Sequence, residues 1–110
     1  MHHERRREPR HVVVGLEACL DAVPCTIVDV SRSAVRLLKP EGFIVGHEPV
    51  NIIFRLSESM HGQRRSFRVI GHLVRSTDIE IIYHYTPPTS RWEFLLHALD
   101  TFAQTQLTRL

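Results

Sequence analysis

The chain of 110 residues carries 14 Lys+Arg against 12 Asp+Glu, a formal net charge of +2, with 43% hydrophobic and 24% charged residues. That length suits one domain with one core, and that composition excludes a disordered chain and a coiled coil. No apolar run approaches the ~18 to 20 residues that cross a bilayer, and no apolar stretch follows the N-terminal charges as in a signal peptide, so a cytoplasmic protein without a membrane contact is expected.

Arg5, Arg6, Arg7 and Arg10 crowd the first ten residues, and Glu4 and Glu8 only partly offset them. Residues 1–11 therefore read as a basic arm that attracts anions, kept flexible by its polarity and biased to extended backbone before Pro9. On composition alone such a run is a solvated tail. Residues 12–110 read as a single domain. The Val-rich segment His11 to Leu20, the turn residues Asp21-Ala22-Val23-Pro24 and the segment Cys25 to Val30 predict a β-hairpin. Ser31-Arg32-Ser33 is a polar break, after which Ala34 to Leu38 resumes an extended pattern and Pro40, Gly42 and Gly46 mark a longer loop. Val50 to Leu56 is a fourth strand. Ser66 to Arg75 alternates Phe67, Val69, Gly71 and Leu73 against Ser66, Arg68, Ile70 and His72, a fifth strand with one buried face and a bend marked by Gly71. Asp78 to Tyr85 is the sixth. Pro87-Pro88 then separates the strands from a helix at about 90–108, in which Trp92, Leu95, Leu96, Leu99, Phe102 and Ala103 form one apolar stripe and Ser90 with Glu93 suggests a capping box.

The expected fold is dominated by β structure: a six-stranded antiparallel barrel, closed because an open sheet would leave bare edges, with the C-terminal helix packed across it. Cys19 and Cys25 have neither zinc nor redox spacing and read as small core residues. The eight histidines show no metal-ligand pattern, so no metal and no cofactor are expected. Arg64, Arg65 and Arg68 read as solvated loop and strand-edge charge.

Two polar clusters interrupt the strand pattern. Arg6-Arg7-Glu8-Pro9-Arg10 resembles the R-x-x-x-R motif of PilZ domains, in the one register that supplies both arginines, and Asp29-Val30-Ser31-Arg32-Ser33-Ala34 resembles their (D/N)-x-S-x-x-G motif with Ala34 in place of the glycine. The two motifs in this order, followed by the remaining strands and a helix, span nearly the whole chain. The resemblance implies a PilZ-like barrel that binds cyclic diguanylate (cyclic di-GMP) and acts as a bacterial second-messenger receptor in biofilm or motility regulation, with Arg5, Arg6, Arg10, Asp29, Ser31 and Ala34 at the ligand. The chemistry is suited to it. An arginine fork matches guanine O6 and N7 or a phosphate, an ionised Asp29 accepts from the guanine N1-H and amine, and Ser31 adds a hydroxyl. By the same resemblance, the arginine just before the first motif residue, here Arg5, goes with an intercalated pair of ligands and two molecules per protomer.

Ordering of the arm on the ligand is the expected output, read by an unidentified protein partner. Local turn chemistry is the competing account of Asp29 and Ser31. The alternative function is a PilZ-like interaction module that has lost its ligand, to which Ala34 points. Nucleic acid is disfavoured because no aromatic platform accompanies the arginines, and no nucleophile, base and orienting group can be assembled into an enzyme.

Overall fold

The computed structural model describes residues 8–56 and 65–108, with side chains described as far as residue 101. The elements are β1 (Leu16–Leu20), β2 (Val23–Cys25), β3 (Ile27–Val30), β4 (Ala34–Leu38), β5 (Val50–Leu56), β6 (Arg65–Ser76), β7 (Glu80–His84) and α1 (Trp92–Thr108). The strands form one antiparallel sheet in the order β2-β1-β5-β6-β7-β4-β3.

The barrel-like fold with its C-terminal helix is the one expected, but the described residues form seven strands rather than six. The extra strand arises because the segment Cys25 to Val30 divides at Thr26. Its first part pairs with β1 (Ala18↔Cys25), and its second part with β4 (Val30↔Val35). β2 and β3 stand at opposite ends of the sheet order, yet only Thr26 separates them. The two chain steps from Cys25 to Ile27 span no more than about 7 Å, so the two edges must come together and the sheet curls into a nearly closed barrel.

The first strand is shorter than expected. Its ladder begins at Leu16, after Gly15 takes a left-handed φ of 85°, and His11 joins the sheet by an isolated bridge to Val30. The β1–β2 turn uses positive φ at both Asp21 (46°) and Ala22 (74°), the mirror-image turn whose twist suits a two-residue hairpin. Asp21 offsets that strain with two bonds to Asn51: its backbone N–H donates to the Asn51 carbonyl, and its carboxylate accepts from the Asn51 N–H.

Alternating inward residues of the strands make the core, among them Leu20, Leu37, Ile52, Phe54, Ile81 and Tyr83, all fully buried. α1 covers the barrel with Trp92, Leu96 and Leu99, and the Trp92 ring lies 5.1 Å from Phe54 and 5.2 Å from Phe67. Gly71 serves close packing, because a Cβ there would stand 2.5 Å from Ile52 Cδ1 and 3.3 Å from Tyr83 Cβ. The helix starts at Trp92 and is capped by Thr89, whose hydroxyl accepts from the Arg91 N–H and whose carbonyl accepts from the Trp92 N–H. Ser90 therefore does not form the expected box, and Glu93 is engaged elsewhere.

Candidate functional site

The turn between β3 and β4 is held from inside the barrel. The Tyr85 hydroxyl donates to the Ser31 carbonyl at 2.6 Å and accepts from the Trp92 indole N–H at 2.9 Å. Burial pushes the Tyr85 phenol far up, so the hydroxyl keeps its proton and donates across the whole physiological range. Backbone bonds from Ser31 N to Ala34 O and from Tyr85 N to Ser33 O complete the frame. The turn thus rests on the aromatic core and the first turn of α1.

On this frame Arg10, Asp29, Ser31 and Ala34, four of the residues singled out in the sequence, line one small cavity together with Arg36. Arg5 and Arg6 lie outside the described residues. The cavity shares Arg10, Arg36 and Ile82 with a groove of about 340 Å³ that is also lined by Arg75, Thr77 and Glu80. The lining is predominantly cationic, and Arg10 and Arg75 have no ion-pair partner among the described residues. Such a groove attracts anions.

Asp29 faces out of the barrel opposite Arg36, and their charged groups meet at 3.0 Å. Arg36 also reaches Glu80 at 3.5 Å, while its Nε is buried without a hydrogen-bond partner. Arg36 therefore fixes the Asp29 carboxylate at the edge of the cavity and leaves one carboxylate oxygen for another donor.

Glu8 occupies the other side of the turn. Its carboxylate accepts from Ser31 Oγ (3.1 Å), the Ser33 N–H (3.1 Å) and Ser33 Oγ (2.8 Å), with Arg32 at 3.9 Å. Partial burial raises the Glu8 pKa, but the hydroxyl and amide donors with Arg32 outweigh it and leave the carboxyl below its ordinary range. The turn thus already holds one carboxylate, through two hydroxyls and one backbone N–H.

His11, the last residue assigned to the arm, is 4% exposed and docked on α1. Its Nε2 lies 2.9 Å from Glu93 and its Nδ1 3.1 Å from Asp100. The chain from Glu8 to His11 thus joins turn, groove and helix.

The sequence did not single out Arg36 and Arg75 or the role of Glu8. Arg36 was legible in principle, as the lone charge in the apolar strand Ala34 to Leu38. Arg75 and Glu8 were not, since their placement depends on a strand irregularity and on the path of the arm.

No family model matches the chain, and no curated protein matches it. Among solved structures it is similar to the uncharacterized Legionella protein Lpg0364, with a TM-score of 0.56 at 17% identity over 88% of this chain and 96% of that one. It is also similar to the Bacillus subtilis inhibitor of motility MotI/DgrA, with a TM-score of 0.62 at 16% identity over 96% of this chain. The chain spans about half of that protein, 53% of its length. At these identities the likeness is one of fold.

Proposed function

We propose that this domain is a receptor for cyclic di-GMP that passes the bound state to a protein partner. The observation that carries the reading is the convergence of Arg10, Asp29, Ser31 and Ala34, drawn from two sequence motifs, on one cavity beside a cationic groove. Arg10 offers a fork to a guanine edge or a phosphate, the free oxygen of Asp29 accepts from the guanine N1-H and amine, and Ser31 contributes its hydroxyl. Arg6 and Arg5 join them by the resemblance to PilZ domains. The motility inhibitor among the structural neighbours is compatible with a regulatory role for the fold.

Titration calorimetry with cyclic di-GMP tests this reading. Two ligands per protomer are expected for the unmutated protein, with Arg5→Ala lowering the ratio towards one. A ratio of one for the unmutated protein contradicts the paired-ligand part of the reading.

One observation favours the second reading, an interaction module without a ligand. Glu8 already satisfies Ser31 and Ser33, so a ligand has to displace an internal carboxylate. The two readings part at Glu8→Ala, which opens the turn to a ligand in a receptor and merely exposes two serines in an interaction module.

A further inference from the structure

The groove and the small cavity beside it each border an irregularity in an otherwise regular strand. In β3 the register shifts between Ile27, opposite Leu37, and Asp29, opposite Arg36. In β6 it shifts between Leu73, opposite Tyr83, and Arg75, opposite Ile82. Alternation would otherwise send residues 73 and 75 to the same face, with Tyr83 in the core. The extra residue at Val74 turns Arg75 onto the outer face instead, as a bulge does when it re-aims a side chain. On the next pair Arg36 also stands opposite Ile82. Asp29, Arg36, Ile82 and Arg75 therefore form one row across β3, β4, β7 and β6, all outward, with an apolar side chain between two guanidinium groups.

Charge sets Arg75 apart within that row. Arg36 is held by Asp29 and Glu80, whereas Arg75 has no ion-pair partner among the described residues. A guanidinium lining a groove of about 340 Å³ beside the Ile82 side chain has the chemistry to receive a flat base with acceptors on its edge.

We infer that the groove is a second guanine subsite, built by the β6 bulge: the base lies on Ile82, and Arg75 reaches its O6 and N7 edge. This rests on the receptor reading and adds two residues to it that neither sequence motif contains. The subsite lies beside the cavity of Asp29 and Ser31 and shares Arg10 and Arg36 with it.

The experiment compares Arg75→Ala with Arg68→Ala, an equal loss of charge at an exposed position of the same strand outside the groove. Arg75→Ala is expected to weaken cyclic di-GMP binding about tenfold and to narrow the preference over cyclic di-AMP, whose bases carry an amine in place of O6. Arg68→Ala should change affinity less than about twofold, as a screened surface charge does. Equal losses in the two variants, or an unchanged base preference in Arg75→Ala, overturn the subsite. Sensitivity to Arg10→Ala without sensitivity to Arg75→Ala overturns the subsite and leaves the receptor intact. Absence of cyclic di-GMP binding by the unmutated protein removes the receptor reading and the subsite with it.

Discussion

Ala34 stands where the resembled motif has glycine, and the backbone decides what that departure costs. Among the described residues positive φ occurs at Asp21 and Ala22 and at Gly15 and Gly42, but not at Ala34, which opens β4 opposite His84. No glycine-only conformation is needed there, so the substitution carries no left-handed strain. Ala34→Gly should accordingly change cyclic di-GMP affinity by less than about threefold, as read by calorimetry. A large gain would mark the natural sequence as a weakened receptor. Glu8 predicts an effect in the opposite sense. Glu8→Ala frees the Ser31 and Ser33 donors and should tighten the ligand roughly three- to tenfold, the worth of about one net hydrogen bond. Because the folded Glu8 carboxyl lies below its ordinary range, its docking stabilises the fold above that range and the contribution fades as pH falls through the lowered value. Unfolding free energies of the unmutated protein and Glu8→Ala, compared across acid pH, should converge at the acid end.

The segment Glu8–His11 and the helix α1 behave as coupled elements. Arg10 lines the groove, and its neighbour His11 is clamped by Glu93 and Asp100, while Glu8 holds the turn that Tyr85 and Trp92 support from below. One residue therefore separates the groove contact of Arg10 from the contacts of His11 with α1. His11→Ala should leave the barrel folded and raise amide exchange across the first turns of α1, where the clamp is lost. Unchanged protection in α1 would dissociate the helix from the arm. These linkages explain what the sequence could disclose. The helix stripe was legible because Trp92, Leu96 and Leu99 recur at helical spacing. The cap was not, since Glu93 forms no box with Ser90 and turns to His11, 82 residues away in the chain.

For the whole molecule, strand content and antiparallel pairing followed from alternation, as in Phe67, Val69, Gly71 and Leu73. Closure hinged on Thr26, where a segment that reads as one strand breaks and serves both edges of the sheet, which periodicity alone does not reveal. The site was legible in the same measure. Arg10, Asp29, Ser31 and Ala34 were found by motif, whereas Arg75 enters through a bulge and Glu8 through a non-local contact with the turn. The barrel brings the segment Glu8–His11, the β3–β4 turn and the groove to one side, and the receptor reading puts cyclic di-GMP there. Its most direct test is calorimetric titration of cyclic di-GMP into the unmutated protein, Arg6→Ala and Arg10→Ala. Binding by the unmutated protein and a loss of more than about tenfold in each variant, roughly 1.4 kcal/mol or more, are predicted for the removal of a charged fork; equal affinity in all three would contradict the account.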